Sequence, residues 1–197
     1  RQFGALSPAA VAGISPQQIR RTPPAAMSQM SSQQVGRLSA DAMAGLNADQ
    51  LEAIPAAALT GLRAAQVEEM PARAFGGLEA DQVGALPATA MRGLEPSQLG
   101  AMQPRAIGAM SAQQLRQVPA EAVAGIKPDQ VTALPREVFG AMKPGQAAEL
   151  TQRAVGALQR GQVGALKPAA VGELSKRQLG AIDPAAMKGV TGAQIRQ

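Results

Sequence analysis

An eight-residue period runs through this chain from Ser7 to Gln197 without insertion or deletion, and it leaves very few folds open. Cut from Ser7, the octads read SPAAVAGI, SPQQIRRT, PPAAMSQM, SSQQVGRL and so on, and residues 1 to 6 are the tail of a preceding octad. Position 5 is apolar throughout, and position 8 is apolar everywhere except Thr22. All nine Met and all three Phe (Phe3, Phe75, Phe139) fall at position 5 or 8, and all fifteen Pro fall at position 1 or 2. Position 4 alternates. It is Ala in every octad of one type, A, except at Val138, and Gln in every octad of the other type, B. The sequence unit is therefore sixteen residues.

One continuous helix cannot follow this period. Eight residues at about 100° each overshoot two turns by roughly 80°, so no stripe stays apolar, and a supercoil needs a period of seven or eleven. Recurrent Pro would also break the ladder. A separate helix in each octad satisfies every rule. Positions 4, 5 and 8 share one face, Pro sits in the first turn where it is tolerated, and Ser7, Ser15, Ser39, Asn47, Ser111, Asp183 and Thr191 supply N-cap acceptors. Gly at position 6 or 7 in eleven of twelve A octads suits a helix exit or a close backbone approach. A β-solenoid fits less well, because Ala, Gln, Met and Leu dominate the fixed positions.

Helices this short need stacked neighbours. The expectation is thus an all-α repetitive solenoid over residues 1–197, one helix per octad and two per sixteen-residue coil, with A on one side and B on the other. Twelve such coils at ~8–10 Å each make a rod on the order of 100 Å. The chain begins at position 3 of one octad and stops at position 7 of another without a polar capping repeat, which reads as a fragment of a longer array or one whose ends stack on other copies.

The glutamines are the candidate structural ladder: Gln2, then Gln18, Gln34, Gln50, Gln66, Gln82, Gln98, Gln114, Gln130, Gln146, Gln162, Gln178 and Gln194. A Gln at the third helical position can close a capping box on the backbone N–H at position 1. Capping applies equally to the A octads, so the alternation asks for a second bond. Burial of these amides against the main chain of an adjoining turn is expected, with an exposed, ligand-binding ladder as the alternative. Thr22, followed by Pro23-Pro24, is the expected weak point, with the array opening first around residues 19 to 30.

Little chemistry is on offer. There is no His and no Cys, so thiol and imidazole catalysis have no basis. Ser31-Ser32 reads as a helix start, and Glu68-Glu69 as a solvated face. No phosphate loop, metal-ligand cluster or apolar run long enough to cross a bilayer is present. No enzyme, no cofactor and no metal are expected. The formal charge of +5 is uneven: residues 1–100 carry seven basic and eight acidic side chains, residues 101–197 twelve and six. Arg105, Arg116, Lys127, Arg136, Lys143, Arg153, Arg160, Lys167, Lys176 and Arg177 could follow a phosphate backbone, although no aromatic side chains are placed to stack bases. A spacer or scaffold contacting protein or its own copies is the first reading. Electrostatic binding of nucleic acid or another acidic partner is the second.

Octads such as SPQQIRRT, KPDQVTAL, EPSQLGAM and QRGQVGAL resemble the tandem Thr/Ser-x-x-Gln-Val-x-Ala-Leu repeats of very large bacterial secreted or surface-associated proteins. The resemblance covers the whole chain and implies a structural role at the cell surface or outside the cell. Here only alternate octads carry Gln. The B octads are also similar to the short first helix of the DNA-binding repeats of transcription-activator-like effectors, but the rest of that 34-residue unit, with its base-reading loop, is missing, so DNA recognition is not carried over.

Overall fold

The computed structural model describes residues 6–196, and Gln2 and Phe3 lie outside them. Within that span every octad from Ser7 onward holds one short helix: twenty-one α-helices and three 3-10 helices, with no strand among the described residues. Each covers four to six residues, such as Ala56–Leu59 or Pro96–Ala101. The all-α solenoid of very short helices expected from the period is the observed architecture.

The helices start and stop for local reasons. Ser39 accepts from the Ala42 N–H at 3.1 Å, and Asn47 from the Gln50 N–H at 2.9 Å. The ends need no left-handed residue. Leu38 (φ −56°, ψ 138°) and Ser39 (φ −66°, ψ 154°) form a two-residue extended corner between helices, and none of the described glycines has positive φ. Gly therefore serves close approach and not left-handed helix exits. Position 8 and position 1 together make the corner, which is why Pro is welcome at the latter.

The coil differs from the expected one. Every helix packs on those three octads before and after it: Pro8–Ala12 on Ser32–Arg37, Ala40–Met43 on Ala64–Glu68, Arg136–Ala141 on Arg160–Ala165. One turn is twenty-four residues, not sixteen, and the rod has three rows of helices. Three is odd, so A stacks on B and B on A along each row, and the two types do not segregate to opposite sides. The physical reason is the corner. Two extended residues turn the chain about one side of a triangle, and two helices joined that way cannot close a thin coil around Leu, Met and Phe side chains. Twenty-four octads then make eight turns, and with ~8–10 Å between stacked helices the rod is roughly 65–80 Å long, shorter than sixteen-residue coils imply.

The core runs up the axis. From Met27 to Leu166 every position-5 and position-8 side chain is buried, Phe75 and Phe139 among the most completely. Towards the two ends the same positions emerge: Leu6, Ile14 and Thr22 are half-buried, and Met187 and Ile195 are exposed. An apolar void of about 10 Å³ beside Phe75, lined by Leu51, Val67 and Met91, is too small and too apolar to hold even a water usefully.

Candidate functional site

The glutamines are where sequence alternation becomes structure. In all twelve B octads the side-chain Oε1 accepts from the backbone N–H of position 1, from Ser15 to Gln18 at 2.7 Å through Thr191 to Gln194 at 2.7 Å. Where position 1 is Ser, Asn or Thr, its side chain also caps the Gln N–H, completing the box: Ser15, Ser31, Asn47, Ser111, Ser175 and Thr191.

The Nε2 end reaches elsewhere. Gln114 donates to the carbonyls of Val83 (2.7 Å) and Leu86 (2.9 Å), and Gln130 to those of Leu99 (2.8 Å) and Met102 (2.7 Å). The same two acceptors, 31 and 28 residues back, serve Gln50, Gln66, Gln82, Gln98, Gln146, Gln162, Gln178 and Gln194. Gln34 donates to the Leu6 carbonyl, 28 back. These acceptors belong to position 5 and position 8 of the B octad four before, at the corner leading into the A helix directly beneath. Each Gln from Gln34 onward thus staples its own helix start to the corner below it. Eleven of the twelve are buried, and Gln18, in the first turn, is exposed. The ladder does not climb one side. It advances by four octads against a turn of three, so two interleaved series wind around the rod.

Glycine supplies the other interface. Where an A octad rests on the B octad beneath, position 7 meets the position-2 carbonyl. A Cβ on Gly61 would lie 2.0 Å from the Ser32 oxygen, and one on Gly93 would lie 2.0 Å from that of Ala64. No side chain fits there. Gly45, Gly77, Gly125 and Gly189 repeat the contact. B octads are therefore joined to the layer beneath by a Gln staple, and six of the A octads by a glycine contact, with Gln29, Ala109, Ala141, Ala157 and Glu173 at position 7 of others. Two kinds of joint alternate along each row, which fits a sixteen-residue sequence repeat on a twenty-four-residue turn. The recurrent Gly was visible in the sequence and suited a close approach, but its partner, 29 residues away, was not.

Outside the core the surface carries clefts of opposite sign. One of about 450 Å³ is lined by Glu68, Glu95, Glu121 and Arg92, and one of about 270 Å³ by Glu52, Glu79 and Asp81. Arg105 forms an ion pair with Glu79, and Arg92 donates to Gln117 at 2.8 Å. A cleft of about 520 Å³ in the second half is lined by Arg136, Arg160 and Lys188. Arg136 and Arg160 share position 2 on helices stacked one turn apart. Arg136 also donates to Glu137 at 2.9 Å, which holds that exposed carboxyl below the usual carboxylate range. The sequence marked the second half as basic but could not show that these three side chains line one cleft, because that depends on the length of the turn. Ser31 is a helix N-cap, as its sequence suggested, and Glu68 and Glu69 are exposed. Among the described residues no group of three or more His, Cys, Asp or Glu is arranged to hold a metal, and no helix is long and apolar enough to cross a membrane.

Comparison with models of known protein families and with curated protein sequences finds no match to this chain.

Proposed function

We propose that this chain is a non-catalytic structural segment, a rigid elongated spacer or protein-interaction scaffold within a larger bacterial secreted or surface-associated protein. The observation that carries the reading is the continuous series of buried Gln staples from Gln34 to Gln194. Successive turns are joined by paired hydrogen bonds of about 2.6–3.5 Å at every second octad, an arrangement that resists bending at any one joint. Its proposed partners are protein surfaces or other copies stacked end to end, and no cofactor enters the reading. The chain has no Cys, so two labels can be placed at will. With Ser28→Cys and Lys188→Cys, both exposed, energy transfer between attached dyes is expected to give one narrow distance distribution on the order of 60 Å, the span of nearly seven turns. A broad distribution would remove the spacer reading. Binding of an acidic partner through the basic second half is the second reading, favoured by the cleft between Arg136, Arg160 and Lys188.

A further inference from the structure

From the geometry of that cleft we infer that it is a binding site for the phosphodiester backbone of nucleic acid, read without regard to sequence. The inference rests on the second, electrostatic reading of function and is independent of the spacer role.

Three features of the cleft point the same way. Its charged walls are all cationic: Arg136 and Arg160 repeat one helical layer apart, and Lys188 lies on the next layer. A fork-shaped guanidinium pairs with phosphate oxygens in two bonds at once. Elsewhere the charged linings differ: Glu52, Glu79 and Asp81 line one cleft, three glutamates with Arg92 another, and Arg21 is the single charge of a third, so a cluster of three cations is particular to this place.

The floor is bare. It is formed in part by Gly161, Gly164 and Gly189. Gly189 is required by packing, since its Cβ would sit 2.1 Å from the Arg160 carbonyl oxygen, and a Cβ on Gly164 would lie 2.8 Å from the Gly189 oxygen. Gly161 is different. Nothing lies within 4 Å of a Cβ built on it, and its φ is not positive. It is the second residue of the helix Arg160–Ala165, where Ala costs up to ~1 kcal/mol less than Gly. Neither packing nor backbone conformation accounts for it, and the same holds for Gly192 in the last octad; of the two, Gly161 lines the cleft. What the missing side chain does is leave the space between three cations open.

The chemistry of the walls selects the ligand. A peptide partner gains most of its affinity from large apolar or aromatic anchors in pockets, and the lining contains no large apolar side chain. Nor is there an aromatic ring to stack a base. Charge and hydrogen bonds to the backbone are what remain, and those read phosphates and not bases.

Fluorescence anisotropy of the full chain with a labelled ~20-nucleotide oligothymidylate tests this at about 50 and 200 mM salt. Saturable binding is expected, with a log–log salt slope of about −2 from three phosphate contacts at roughly −0.7 each. The triple variant R136Q/R160Q/K188Q is expected to bind at least tenfold more weakly and to lose most of that slope. R153Q/K176Q/R177Q, which removes the same charge from exposed positions outside the cleft, is expected to change affinity less than threefold. G161L, which fills the floor and leaves charge unaltered, is expected to weaken binding severalfold without lowering the melting temperature. E137Q, which frees Arg136, is expected to tighten it. Equal losses in the two triple variants, or wild-type binding by G161L, would overturn the cleft while leaving general electrostatic binding in place. Stronger competition by polyglutamate than by unlabelled oligothymidylate would overturn the ligand in favour of an acidic polypeptide. Absence of binding to either polymer would sink both the cleft and the reading it rests on.

Discussion

Gln114 sits in mid-array with both ends of its amide in use, accepting from Ser111 and donating to Val83 and Leu86 across the turn. Truncation to Ala removes the partner of the Ser111 N–H and of the Leu86 carbonyl and leaves the Val83 carbonyl with only the Leu86 N–H, so Gln114→Ala is expected to cost about 1–3 kcal/mol in denaturant unfolding. Gln18→Ala is the internal control. Gln18 keeps only its own capping bond and is exposed. Its loss should cost about 0.5 kcal/mol, the usual size for a surface substitution. Equal costs at the two sites would assign the Gln to capping alone. The glycines divide in the same manner. Gly61→Ala forces a methyl against the Ser32 carbonyl and should destabilise by about 1–3 kcal/mol. Gly161→Ala meets open space and should stabilise by up to ~1 kcal/mol. Thermal melts of the two variants moving in the same direction would contradict the layer geometry.

A helix of four to six residues has almost no stability of its own, and what holds each one is visible at its ends. The start is capped by a Ser, Thr, Asn or Asp side chain, preset by Pro, or bonded by Gln; the end is tied down by a position-8 side chain in the core. Thr22 is the exception at position 8. It is half-buried, its hydroxyl donates to the Gln18 carbonyl at 2.8 Å, and its own carbonyl accepts from Gln50 at 2.7 Å. The site is therefore anchored through main chain, and at a half-buried position less aliphatic burial is missing than at an interior one. Thr22→Leu is expected to shift stability by less than ~0.5 kcal/mol. A gain of about 1.5 kcal/mol or more, the size of a fully buried aliphatic side chain, would mean that the position is interior after all. The three 3-10 helices, Ala72–Gly77, Ala88–Gly93 and Glu121–Gly125, all occur in A octads. Each has Gly at position 7, against the carbonyl beneath. Where position 7 is Ala or Glu, as in the octads of Arg136–Ala141, Gln152–Gly156 and Pro168–Gly172, the A helix is α. Tighter winding is confined to octads that permit the close approach.

Eight turns of three helices make a particle whose length is several times its width. Its radius of gyration should be on the order of 20 Å, against ~16 Å for a globule of this length. Small-angle scattering reads the difference directly. A value of about 16 Å, the globular expectation, with a symmetric distance distribution, would exclude the stacked rod.

Period, helix and buried face were legible because they are local properties. Pro confined to positions 1 and 2, apolar side chains at 5 and 8, and N-caps at position 1 each act within one octad, and each predicts what its own residues do. The capping half of the Gln role was legible for the same reason, since Gln18 and Ser15 lie within one octad. The second half could be inferred only as a need: something beyond capping had to distinguish Gln from Ala at position 4. Which carbonyls it would find, 28 and 31 residues away, depended on the number of octads in a turn, and no residue encodes that number. It emerges from two-residue extended corners closing around a core of given thickness. The same quantity decides that A rests on B, that Gly61 touches Ser32, and that Arg136, Arg160 and Lys188 share a cleft. Pairwise chemistry within an octad was written in the sequence, whereas every pairing across layers awaited the pitch of the coil.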